Sequence, residues 1–323
     1  MKTEINAFFL AISIIAGFVI LPSCTRDIDI DLPEPEKKVV VNGVLTAGEI
    51  PLIFVSRNAG LNADSQVQYI NTAKFILMEQ DGWTDTLVYD GALGYDGLYF
   101  SGASKKIQAG KKYDIIVTAD GMKTVYATTE VPQTITFNAT DLKRNKTTSD
   151  VNSALIYYDE FNIQFSDNSS VNDFYLLTVQ TTDTFEYIDE FGNLVIQPGE
   201  PYNACVRTTD VQITQSSDID FGGSSIFLCD ERIMFTDKFF NGQSINAIIQ
   251  IRTDKNTTGL PYQPSYKVYL SKITESYYNY ITTLNLYQQT GNNPFSEPVQ
   301  VFSNITNGLG IFAAKTVEVR ELK

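Results

Sequence analysis

The sequence contains no histidine in 323 residues. That removes the commonest general base, the Ser/His and Cys/His nucleophile pairs, and the commonest zinc ligand. Any catalysis would have to rest on carboxylates, tyrosine, lysine or a metal held by oxygen atoms. Positive charge is scarce too: 24 Lys and Arg stand against 38 Asp and Glu, a net charge of −14. Phosphate backbones need clustered basic residues, so no nucleic-acid partner is expected, and electrostatic attachment to an anionic lipid surface is disfavoured. Cysteine is limited to three residues and tryptophan to one. What is present, 43% hydrophobic and 19% charged residues, is the composition of a globular chain. The length suffices for two ordinary domains.

The N-terminal segment is unlike the rest. Lys2 precedes the apolar run "AFFLAISIIAGFVIL" (7–21), which "LPSC" follows. A membrane-spanning helix needs about 20 apolar residues. This run is shorter and ends in small residues, so residues 1–23 read as a secretory signal peptide. Leu21-Pro22-Ser23-Cys24 resembles the lipobox of bacterial lipoproteins, with an aliphatic residue at −3, a small one at −1 and cysteine at +1. The resemblance implies cleavage before Cys24 and lipidation of that cysteine. The alternative is a free thiol at Cys24, a liability in an exported chain.

Residues 24–37, built on "TRDIDIDLPEPE", read as an extended acidic and Pro-rich tether. An EF-hand loop starting at Asp27 would need glycine at its sixth and glutamate at its twelfth position; Leu32 and Lys38 stand there. Acidic residues directly after the cysteine resemble the surface-export signals of Bacteroidota lipoproteins. That implies an outer-membrane, lipid-anchored chain facing the cell surface.

From Lys38 onward the chain reads as strands, giving a mainly β fold class. "KVVVNGVLT" (38–46) and "PLIFVSR" (51–57) flank a turn at Gly48, and "AKFILMEQ" (73–80) meets "TDTLVYD" (84–90) across Asp81-Gly82. "KKYDIIVTADGMKTVYATTEV" (111–131) is a second hairpin, with Tyr113, Ile115 and Val117 on one face. Short strands at this spacing predict an immunoglobulin-like β-sandwich over residues 38–132, closed near Pro132. Residues 133–323 read as a second β-rich domain with strands over 161–167, 173–181, 245–254 and 265–273. The 173–181 strand is apolar on both faces and suits a central position.

One helix is expected over about 273–290. Ile273, Tyr277, Tyr280, Ile281, Leu284 and Tyr287 fall on a single face, Thr274 suits the N-cap, and Gly291 suits the C-terminal cap. In an oxidising compartment Cys205 and Cys229 read as a disulfide, closing a loop of about 25 residues worth roughly 3 kcal/mol. Two unpaired buried cysteines are the alternative.

Three stretches carry a family resemblance: "DIDLPEPEKKVVVNGVLTAGEIPLIFVSR", "VYLSKITESYYNYITTLNLYQQTGNNPFSEP" and "VQVFSNITNGLGIFAAKTVEV". Ser303-Asn304-Ile305 and Gly308-Leu309-Gly310-Ile311-Phe312 are the most distinctive residues. Together they resemble the Bacteroidota lipoproteins grouped as domain of unknown function 4249, whose members often stand beside TonB-dependent outer-membrane transporters. The resemblance implies an accessory role on the cell surface and carries no catalytic residues. Read physically, Gly308 and Gly310 permit tight turns or close backbone approach before a last strand, so the motif is expected to be a packing device.

The acidic run "DTFEYIDEFGNLVIQPGE" (183–200) supplies the best enzyme reading, a carboxylate-dependent hydrolase using Glu186 or Glu190. Its competitor is a solvated acidic hairpin turning at Gly192-Asn193, which is preferred. No cofactor is expected; Ca²⁺ at this run is the alternative, without a spacing signature. Tyr69, Trp83, Tyr95 and Tyr202 are expected to be exposed loop aromatics suited to ligand recognition. The expected function is therefore non-catalytic: a surface lipoprotein binding a ligand or partner as accessory to a TonB-dependent β-barrel transporter. A structural or adhesive envelope lipoprotein is the alternative.

Overall fold

Period-two burial, rather than length, decides which segments of this chain become strands. The computed structural model describes residues 36–59, 67–149, 155–168, 171–213, 230–253, 264–290, 297 and 299–322. The first part contains β1 (Val39–Thr46), β2 (Leu52–Arg57), β3 (Gln68–Tyr69), β4 (Lys74–Glu79), β5 (Thr84–Tyr89), β6 (Leu98–Phe100), β7 (Lys112–Thr118) and β8 (Val125–Glu130). There follow β9 (Phe137–Ser149), β10 (Leu155–Ser166), β11 (Phe174–Thr182), β12 (Thr184–Ile188), β13 (Leu194–Pro198), β14 (Tyr202–Asn203), β15 (Val206–Thr208), β16 (Ile233–Thr236), β17 (Ser244–Thr253) and β18 (Ser265–Ile273). Helix α1 (Glu275–Thr290) and β19 (Leu309–Leu322) complete the chain. The fold is mainly β, with a single α-helix among the described residues, as the sequence predicts.

One sheet path, β14-β11-β18-β19-β1-β2-β6-β5-β4-β7-β8, runs through the molecule, with β16 and β3 attached at its sides. Val41, Val55 and Tyr99 from β1, β2 and β6 share a buried core with Phe75, Ile115 and Val125 from β4, β7 and β8. Strands that are consecutive along one path can enclose a common core only if the path folds over, and β5 makes that corner. This first sandwich-like unit is completed by Phe312 and Ala314 of β19, from the far end of the chain. β19 lies parallel to β1 and antiparallel to β18.

The second core lies between β11, β16 and β18 of the same path and a four-stranded sheet ordered β15-β17-β10-β9. Phe161, Ile163 and Phe165 face inward from β10, as their alternation predicts, and meet Ile245, Ala247, Ile249 and Ile251 of β17. Burying each such side chain contributes about 1.5–3 kcal/mol. Opposite them stand Tyr175, Leu177 and Val179 of β11. The other face of β11 is half-buried, because Phe174 and Leu176 pack beneath α1 against Ile273 and Ile281. That two-sided cover is why this strand is apolar on both faces.

Helix α1 begins where expected. The Thr274 hydroxyl accepts from the Tyr277 backbone N–H at 3.3 Å, satisfying one of the first orphan donors. Tyr277 and Tyr280 lie on the packed side with Ile281, while Tyr287 is exposed. Gly291 lies outside the described residues.

The 303–312 motif is a clamp closed by the Asn304 side chain and by backbone hydrogen bonds. The Asn304 side chain donates to the Phe312 carbonyl at 2.7 Å and accepts from the Phe312 N–H at 2.9 Å. Thr306 and Tyr126 exchange backbone hydrogen bonds, tying the motif to β8. Gly310 has φ +102°, and a Cβ there would lie 2.1 Å from the Val41 carbonyl oxygen. Both the dihedral and the contact would strain any other residue, so the close approach of β19 to β1 here relies on this glycine. The motif acts in packing.

Candidate functional site

Catalytic centres concentrate perturbed acids and bases, so the buried ionisable groups are the first candidates for a site. Three such clusters, around Tyr113, Tyr266 and Tyr175, are closed on themselves. In the first sandwich the Tyr113 hydroxyl donates to Glu79 at 2.8 Å and accepts from the Gln108 N–H at 2.9 Å. Burial pushes this phenol up to about 12, so it remains a neutral donor. In the second, Asp159 accepts from Tyr266 at 2.8 Å, from the Asn145 N–H at 2.9 Å and from Arg144 at 3.3 Å. Burial, then the charge of Asp159, pushes the Tyr266 phenol far up.

The densest cluster surrounds Tyr175. Its hydroxyl donates to Asp167, while Lys272 is ion-paired with Asp173. Asp237 accepts from the Asp173 N–H at 2.8 Å, and Lys272 lies 5.8 Å from the Tyr175 ring centroid. Burial raises the Asp173 carboxyl above its ordinary range, with the hydrogen bond and charge of Lys272 opposing it. A fully partnered buried network of this kind fixes geometry. Here it joins β11, β18 and the segment before β17. Among the described residues, no group of three or more His, Cys, Asp or Glu side chains is placed to hold a metal ion.

The four aromatic residues singled out by the sequence do not converge. Tyr69 is exposed on β3, with its ring centroid 6.5 Å from that of Phe54. Tyr95 is exposed in the loop after β5, and Gly97 of that loop abuts the Tyr69 ring. Trp83 sits at the opposite end of β5 and is not an exposed loop aromatic. It is half-buried, because the Asp81-Gly82 turn folds it onto the first core, 5.9 Å from the Tyr113 ring centroid. Tyr202 belongs to the other sandwich, on β14, where its hydroxyl donates to Asp183 at 3.0 Å. Cys205 is disulfide-bonded, and the adjacent Val206 and Asp230 exchange two backbone hydrogen bonds. Cys24 and Cys229 lie outside the described residues, as does residues 24–35 of the tether.

The acidic run 183–200 forms the hairpin β12–β13, a two-stranded sheet separate from the others. Asp189 caps its turn: its carboxylate accepts from the N–H groups of Asn193 at 2.8 Å and Phe191 at 2.9 Å, and from the Asn193 side chain at 3.1 Å. Those bonds, the Asn193 N–H foremost, hold the Asp189 carboxyl below its usual range. The turn at Gly192-Asn193 is as the sequence predicts. Its surroundings differ from a merely acidic surface. Ile188 pairs with Leu194, and Glu186 with Ile196, on one face. Ile188, Leu194 and Ile196 are 72%, 61% and 60% exposed, Phe191 at the turn 80% and Tyr187 on the other face 50%. This concentration of exposed apolar side chains was missed in the sequence, because the same segment is also its most acidic run.

A family model described as Domain of unknown function (DUF4249) matches residues 25–321. The chain belongs to that family. The DUF4249 match covers both sandwiches, helix α1 and the 303–312 clamp. No curated protein matches the chain. Among the described residues of this DUF4249 protein, no helix is long and apolar enough to cross a membrane.

Proposed function

We propose that this DUF4249 protein is a non-catalytic binding lipoprotein of the outer membrane, anchored through Cys24 at the cell surface and serving as accessory to a TonB-dependent uptake transporter. One observation carries the binding part of the reading. The acids, bases and phenols of the Tyr113, Tyr266 and Tyr175 clusters are engaged with one another, whereas Ile188, Leu194 and Ile196 of β12–β13 are turned to solvent. Large apolar side chains clustered on a surface mark interaction sites. The lipobox-like Leu21-Pro22-Ser23-Cys24 and the acidic segment after it support the anchor and its location. Family membership supports the accessory role through the resemblance described above.

The test is purification of the tagged, full-length lipoprotein from gently solubilised outer membranes after crosslinking, with its companions identified by mass spectrometry. A stoichiometric β-barrel transporter is the expected result. Recovery of the chain alone would remove the transporter from the account and favour an envelope protein with no transport partner.

A further inference from the structure

The geometry points to the β12–β13 hairpin as a docking finger for a polypeptide partner whose contact surface is apolar at its centre and rimmed by lysine or arginine. This deepens the binding reading above and rests on it. Ile188, Leu194 and Ile196 form one solvent-facing apolar face, and Phe191 extends it to the turn. On the inward faces of the two sandwiches such side chains are layered against a second sheet, whereas here the two strands pair only with each other.

Charge selects the class of occupant. Glu186 lies on the apolar face itself, and Glu190 is exposed beside the turn. No lysine or arginine occurs from Thr147 to Val206, so nothing basic in the local chain neutralises them. A hydrocarbon phase would have to accept Asp189 and Glu190 together with Phe191, and burying unpaired carboxylates is costly. The hydrogen bonds that keep Asp189 ionised oppose insertion further. A second copy of this chain would bring an identical acidic rim against the first, on a protein of net charge −14. A partner that offers apolar side chains within a basic rim answers both features: apolar contact supplies the slow dissociation and opposite charge the fast, oriented encounter.

The test places a photoreactive side chain at Ile188 or Leu194 of the full-length, lipidated protein in isolated outer membranes, with Lys105 as an exposed control site. The expected result is one protein adduct from 188 and 194 and none from 105. Its linked segment, read by mass spectrometry, carries Lys or Arg beside the apolar contact. The double variant Glu186→Lys/Glu190→Lys should lower the adduct yield severalfold. So should raising salt from about 0.01 M to about 1 M, which shortens the screening length from roughly 30 Å to 3 Å.

A lipid adduct, a self-adduct, equal labelling from position 105, or a yield indifferent to charge and salt would each overturn the assignment. If the transporter co-purifies but positions 188 and 194 give no adduct, the hairpin assignment falls and the accessory reading stands. If the hairpin crosslinks to a basic-rimmed protein that is not a transporter, the reverse holds.

Discussion

Two hairpins of this chain are closed by turns of the same chemistry and meet opposite fates. β7–β8 turns through Gly121 (φ +72°), directly after Asp120, and β12–β13 through Gly192 (φ +83°), two residues after Glu190. Both have side chains alternating across two faces. Tyr113, Ile115 and Val117 on β7 are at most 1% exposed, whereas Ile188, Leu194 and Ile196 are at least 60% exposed. Turn chemistry and alternation make a hairpin; only a second layer makes its apolar face a core. β7–β8 has that layer in β1, β2 and β19, and β12–β13 has none among the described residues.

Truncation of a buried side chain sharpens the contrast most. Ile115→Ala should cost about 2–5 kcal/mol, the range for deleting such a side chain from a filled core. Ile188→Ala should fall within about 0.5 kcal/mol of the parent. Urea unfolding of both variants measures the difference, and equal losses would erase the distinction.

A smaller effect is expected from Tyr113→Phe. The phenol hydroxyl is the donor held by Glu79, which is itself buried. Its loss leaves that carboxylate short of a partner and the Gln108 N–H without its acceptor, at about 1–3 kcal/mol. Replacing Glu79 by Gln in the same background should recover part of the loss, because an uncharged amide tolerates burial better.

Acidity and alkalinity should act on the two hairpins from opposite sides. The Tyr113 phenol is raised from 10.0 to about 12, chiefly by burial. Its contribution to stability is therefore complete below pH 10 and lost as pH rises through about 12. Asp189 is lowered from 3.8 by its hydrogen bonds. Its contribution is complete above that value and lost as pH falls through the folded-state value. Ultraviolet titration should show the Tyr113 phenolate appearing only well above pH 10. Amide exchange at Phe191 and Asn193 should quicken on the acid side in the parent, and Asp189→Asn should flatten that dependence.

Much of the fold was legible in the sequence because alternation and turn residues are local signals. β1, β2, β4, β5, β7, β8, β17 and β18 fall on the segments where apolar residues alternate between Gly, Pro or Asp turns, and β11 on the run read as apolar on both faces. β9 was not legible: "FNATDLKRNKTTS" is polar along most of its length, as befits an exposed edge strand with register shifts against β10. The pairing of β19 with β1 was hidden for another reason, since it joins residues from opposite ends of the chain. Trp83 and Ile188 were both unreadable at the level of exposure. A turn folds Trp83 inward onto Tyr113, while the lack of a covering layer leaves Ile188 outside. The candidate surface was therefore visible as a hairpin, but its apolar character was masked by the five acidic residues of the same run.

The measurement that tests the central claim most directly is urea unfolding, followed by far-ultraviolet circular dichroism, of Ile188→Ser/Leu194→Ser beside the parent. If the hairpin's apolar face is spare to the fold, the two unfolding free energies should agree within about 0.5 kcal/mol. A loss above about 2 kcal/mol, the scale of a core truncation, would mean that these side chains are packed within the folded chain and are not offered to a partner.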